Sequence, residues 1–120
     1  MSCSVAVRRS DDVTIVDLGG RVTLGDASCR LRDTVRDLIQ QGERKILLNM
    51  QGVTYLDSAG LGELVGSYAT MTNRGGQIKL LHADNKVRDV LRATRLEMVF
   101  ENFQDEAEAL RSFAARRFTA

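Results

Sequence analysis

Ser58, in the run Leu56-Asp57-Ser58-Ala59-Gly60-Leu61-Gly62, is the residue around which chemistry can be organised. A nucleophilic serine needs a base within reach, and the only imidazole in the chain is His82, outside any recognisable triad pattern. The surrounding residues are Leu-Asp-Ser-Ala-Gly rather than Gly-x-Ser-x-Gly, and no Gly-x-x-x-x-Gly-Lys-Ser/Thr loop cradles a phosphate. Cys3 and Cys29 are not spaced as a pair and have no histidine cluster beside them, so they read as reduced thiols rather than metal ligands. The expectation is a chain with no catalysis, cofactor or metal of its own. From the residues alone Ser58 reads first as a plain helix N-cap, and beside flexible glycines its hydroxyl is also exposed enough to be the substrate of another protein's chemistry.

The flanking residues are those that would position it. Ile46, Leu47, Leu48 and Met50 make a nearly continuous apolar run, interrupted by Asn49, as in a central strand covered on both faces. Gln51-Gly52 reads as a short connection. Asp57 and Ser58 are both good N-caps, because their side-chain oxygens accept from helix N–H groups that lack an intrahelical partner. A helix is expected from about Ala59, with Leu61, Leu64, Val65, Tyr68 and Thr72 on one stripe, ended by Gly75-Gly76. Gly60, Gly62 and Gly66 each cost that helix up to about 1 kcal/mol relative to alanine, which implies that another backbone comes close, from this domain or from a partner.

Upstream, Val5-Ala6-Val7 and Val13 to Leu18 flank an Asp11-Asp12 turn and predict an antiparallel hairpin. Gly19 to Asp26 has three glycines and reads as a loop, a candidate binding surface. Leu31, Val35, Leu38 and Ile39 predict an amphipathic helix over 27–41. Downstream, Gln77 to Leu81 predicts a strand parallel to the central one, completing a right-handed βαβ unit whose strand C-termini gather on the edge that holds Ser58. A short helix over Val87, Val90, Leu91 and Thr94, capped by Asp84 or Asn85, follows. Met98-Val99-Phe100 is a candidate last strand, and Asp105, Glu106 and Glu108 ahead of Arg111, Arg116 and Arg117 suit the dipole of a terminal helix of about ten residues.

The 120 residues suffice for one domain over 1–120, burying roughly two-thirds of the unfolded chain's surface. Apolar residues make up 43% and charged residues 28%, with no apolar window near the ~20 residues of a membrane span, so a cytoplasmic protein without direct membrane insertion is expected. Seventeen basic against sixteen acidic residues leave a net charge of +1, too little for binding dominated by polyanion electrostatics; nucleic acid is not the expected partner.

The run Asn49 to Gly62 resembles the signature of STAS domains, in particular the bacterial anti-sigma factor antagonists. Gly19-Gly20-Arg21-Val22 resembles that family's second strand and turn, Gly75 to Leu80 its fourth strand, and Val87 to Leu91 the helix after it. The resemblance implies an α/β single domain with a mixed sheet of four to five strands and about four helices. It implies a phosphoacceptor at Ser58, with a partner surface drawn from Arg21, Thr23, Asp26, Asp57, Ser58, Ala59, Gly60, Leu61, Gly62 and Gly66. The partners implied are an anti-sigma factor that is also a serine kinase, captured by the unphosphorylated form with release of a sigma factor, and a phosphatase acting on phospho-Ser58. Where many antagonists carry acids after the second-strand glycine and two positions on, this chain has Arg21 and Thr23, and Asp26 is the nearest acid. Two further STAS roles are alternatives: an adaptor subunit of a membrane transporter assembly, and a module sensing a nucleotide or other small ligand.

Overall fold

In the computed structural model, which describes residues 4–22 and 31–115, five strands and four helices alternate around one sheet. The order along the chain is β1 (Ser4–Ser10), β2 (Val13–Val22), α1 (Leu31–Gln40), β3 (Lys45–Leu56), α2 (Ser58–Asn73), β4 (Gln77–Leu81), α3 (Asn85–Ala93), β5 (Asn102–Phe103) and α4 (Glu106–Ala115). The strands lie in sequence order, β1 antiparallel to β2 and the rest parallel. The hairpin, the central apolar strand, the βαβ unit and the terminal helix are thus where the residue patterns put them. Thr23, Asp26, Cys3, Cys29, Arg116, Arg117 and the expected start of the first helix lie outside the described residues.

Alternation along the strands divides the core in two. Val16, Leu18, Val22, Ile46, Leu48, Met50, Ile78 and Leu80 face α1, α2 and α3, where Leu31, Val35, Leu61, Leu64, Met71, Val87 and Leu91 complete the larger cluster. Val13, Ile15, Leu47 and Leu81 face the other way, onto Ala109 and Phe113 of α4. Burial on both sides is what makes β3 a nearly unbroken apolar run.

Four expectations are corrected. Gly19 to Val22 is not loop but the end of β2, paired to Val22↔Leu56; register shifts after Asp17 and Gly20, with Gly20 at φ 81°, absorb the glycines as bulges. Gln51-Gly52 does not interrupt β3. Gly52 stands opposite Gly19, and a Cβ on it would lie 2.9 Å from the Leu18 carbonyl oxygen, so its bareness serves strand-to-strand approach rather than a turn. On α2 the buried stripe is Leu61, Leu64, Ser67 and Met71, while Val65 and Thr72 are exposed. Ser67 can be buried because its hydroxyl donates to the Glu63 carbonyl at 2.8 Å. Finally, Met98 to Phe100 is a turn, with Met98 90% exposed, and the last strand is Asn102–Phe103.

Two polar devices secure α4. Lys79 of β4, 4% exposed at its side chain, donates to Ser112 Oγ at 2.9 Å, pairs with Glu101 at 3.3 Å and lies over the Phe113 ring at 4.8 Å. Arg8 of β1 grips Asp17 through Nε at 2.7 Å and Nη2 at 3.2 Å, and Glu106 through Nη2 at 2.8 Å and Nη1 at 3.1 Å. Asn49 adds a donor to Asp17 at 2.8 Å. These hydrogen bonds from Arg8, before any coulombic contribution, hold the Asp17 and Glu106 carboxyls below their ordinary range. A carboxyl with a depressed folded-state pKa contributes stability above its unfolded value, about 4, that is lost as pH falls through the folded value. The groups are well exposed, so the network is worth only about 1 kcal/mol. Arg8→Ala should lower the melting temperature by a few degrees at pH 7, and the gap from wild type should close progressively below about pH 4 in thermal melts followed by circular dichroism.

Candidate functional site

Arg21, at the end of β2, and Asp57 to Gly62, after the end of β3, lie where α2 begins, while Gly66 lies further along α2 beside Arg32 of α1, and Thr23 and Asp26 are outside the described residues. Asp57 is extended, at φ −101° and ψ −175°, and its Oδ1 accepts the Gly60 N–H at 2.8 Å while its carbonyl accepts the Leu61 N–H at the same distance. Of the two residues suited to cap this helix, Asp57 does so. Ser58 is left as the first helical residue, exposed, and among the described residues its hydroxyl has no hydrogen-bond partner.

The helix is seated closely on the sheet. A Cβ on Gly60 would lie 2.0 Å from the Val22 carbonyl oxygen and 2.9 Å from Leu56 Cδ1, so the close backbone approach expected at this glycine occurs inside the domain. Gly60 and Leu61, which the resemblance placed on a partner surface, are both buried and lie beneath that surface rather than on it. Gly62 differs: nothing stands within 4 Å of a Cβ there. With Ser58, Val65 and Ala69 it forms an exposed file at i, i+4, i+7 and i+11, small in profile and apolar but for the serine. Gly66 is half-buried against the flexible end of Arg32 from α1, whose backbone N–H also donates to Glu63 Oε1 at 3.3 Å. Ala59 and Asp57 are half-buried.

On β2, Arg21 stands opposite Tyr55 of β3, and its guanidinium lies 4.3 Å from the centre of the Tyr55 ring. Tyr55 is 44% exposed. No carboxylate pairs with Arg21 among the described residues.

His82 sits at the end of β4 with φ 58°, its backbone N–H donating to the Phe103 carbonyl at 2.7 Å. Among the described residues no group of three or more His, Cys, Asp and Glu side chains is placed to hold a metal ion, and no helix is long and apolar enough to cross a membrane. The site as built is an exposed hydroxyl at a capped helix end, beside an exposed file of small residues.

Residues 4–109 match the family described as the STAS domain, and the chain belongs to that family. Among its relatives is the anti-sigma-B factor antagonist of Bacillus subtilis, 26% identical over 101 residues that cover 84% of this chain and 91% of that protein. The fold is similar to that of an anti-sigma factor antagonist from Mycobacterium paratuberculosis, with TM-score 0.80, 20% identity and coverage of 92% and 93% of the two chains. It is also similar to the antagonist SpoIIAA in its unphosphorylated form, with TM-score 0.77, 21% identity and coverage of 93% and 97%. The phosphorylated form of SpoIIAA, from Bacillus, aligns with TM-score 0.71 at 20% identity, over 92% of this chain and 99% of that one.

Proposed function

We propose that the chain is an anti-sigma factor antagonist, a binding module switched by phosphorylation at Ser58. In the unphosphorylated state it captures an anti-sigma factor that is also a serine kinase, and a sigma factor is released. The kinase phosphorylates Ser58 and a phosphatase restores it; the chain contributes no catalytic group and acts in the cytoplasm. The observation that carries this reading is the division of labour at the start of α2: Asp57 caps the helix, so the exposed Ser58 hydroxyl can gain a phosphate without the helix losing its cap. Relatives named anti-sigma-B factor antagonists, and a fold relative known with and without phosphate, support it.

The partner surface in this reading is the exposed file Ser58, Gly62, Val65 and Ala69, flanked by Arg21, Asp57 and Ala59, with Gly66 at its α1 side; Thr23 and Asp26, which follow Arg21 in sequence, are outside the described residues. A small-residue face admits a partner backbone, so bulk should block it. Gly62 faces open space, and Gly62→Arg should therefore leave the circular dichroism spectrum and melting temperature near wild type while abolishing capture of the cognate kinase in a pull-down. Capture at unchanged affinity would place the partner on another face.

A further inference from the structure

Arg21 has a position and a freedom that the partner surface alone does not account for. Its guanidinium lies 4.3 Å from the centre of an exposed ring, and no carboxylate among the described residues engages it. A cation–ring contact uses none of the five guanidinium N–H donors as a conventional hydrogen bond, so they can be offered to an incoming anion. Tyr55, its opposite number in the β2–β3 register, precedes Ser58 by three residues, a separation of at most about 11 Å even for fully extended chain. Leu56 pairs with Val22 beside it, and the Asp57 N–H donates to the Val22 carbonyl at 3.5 Å, so the Ser58 turn is fastened to the residue that follows Arg21.

From this juxtaposition we infer that Arg21 is the intramolecular clamp for a phosphate on Ser58: when the serine is phosphorylated, the guanidinium leaves the Tyr55 ring and takes two phosphate oxygens. The inference rests on Ser58 as the phosphoacceptor. No bond is made or broken in the step, which exchanges a cation–ring contact for a charge-assisted, bidentate one, the stronger of the two kinds. Among the described residues, the other charged groups near the start of α2 are Asp57, which repels the phosphate, and Glu63 and Arg32 one to two turns along. The exchange has a consequence for recognition. Phosphate both adds negative charge at Ser58 and removes a cation from the face of Tyr55, so two features of one surface change through a single modification.

The test needs no kinase. Phosphoserine is installed at position 58 during translation, in otherwise wild-type protein and in Arg21→Gln and Arg21→Lys, and the phosphate is titrated by phosphorus NMR. The Tyr55 ring signals are followed in the same samples. A nearby cation favours the dianion, so the second ionisation, ordinarily near pH 6, should fall in the wild-type background by about half a unit or more relative to Arg21→Gln, with Arg21→Lys between the two. Asp57 and the helix are common to all three proteins and cancel. Tyr55 signals should shift on phosphorylation only where Arg21 is present, with Tyr68 as internal reference. Equal titration in wild type and Arg21→Gln, or Tyr55 signals unmoved by phosphate, overturns the clamp. Because the phosphoserine is placed by translation, this result stands apart from whether a kinase modifies Ser58, which mass spectrometry of kinase-treated protein reads separately.

Discussion

Gly60→Ala should destabilise the domain by about 2–3 kcal/mol, whereas Gly62→Ala, two residues on in the same helix, should be neutral or stabilising by up to about 1 kcal/mol. A methyl at Gly60 meets the Val22 carbonyl oxygen at 2.0 Å, the Val22 carbonyl carbon at 2.8 Å and Leu56 Cδ1 at 2.9 Å. Two of those atoms are backbone of Val22, which is paired to Leu56 of β3 and accepts the Asp57 N–H, so relief requires moving the helix start off the sheet. That movement would also strain the Asp57–Gly60 cap. At Gly62 the added methyl enters open space, and only the gain in helix propensity remains. Chemical denaturation of the two variants gives the difference directly; similar midpoints for Gly60→Ala and wild type would mean that α2 is not seated as described.

The contrast marks where residue patterns are informative and where they stop. Local signals suffice for the hairpin around Asp11-Asp12, for the apolar β3, for the capped start of α2 and for the position of Ser58 on the strand C-terminal edge, because each depends on neighbours in the chain. Glycine is ambiguous at this level. Gly19 and Gly52 look like punctuation, yet they oppose each other in a continuous strand pair, a fact that exists only once β2 and β3 are in register. Gly60 and Gly62 look alike, and only the Val22 carbonyl beneath one of them separates a packing residue from a surface residue. The α2 stripe was misplaced by the same limitation. Ser67 enters the core by satisfying its hydroxyl on its own helix, and Val65 leaves it, so polarity and burial part company. Lys79 is buried through Ser112, Phe103 and Phe113, none of them near it in sequence.

A second large effect is expected at Ser58, and it should fall on binding rather than folding. A phosphoserine adds about −1.5 to −2 charges at pH 7. At an exposed helix N-terminus negative charge is favoured by roughly 0.3–1 kcal/mol, and repulsion from the half-buried Asp57 is of similar size, about 1 kcal/mol at 4 Å in water. Neither threatens a domain whose stability is of the usual order, about 5–15 kcal/mol. Burying the same phosphate in an interface costs several kcal/mol even with one guanidinium on it, because net negative charge remains without a partner cation, and at 1.4 kcal/mol per tenfold that is about 100-fold or more in affinity. Ser58→Asp should keep a near-native melting temperature and weaken capture in the same direction, though less, since it carries one charge and fewer acceptor oxygens. Ser58→Ala should bind constitutively, with no means of release.

Titration calorimetry of the cognate anti-sigma factor kinase against this protein, with Ser58 unmodified and then as phosphoserine, is the most direct measurement of the switch. The unmodified protein should bind, and the phosphoprotein should bind about 100-fold more weakly or not at all while melting within a few degrees of it. Equal affinity of the two forms, or a phosphoprotein that has lost its fold, would contradict a switch that acts by spoiling an interface.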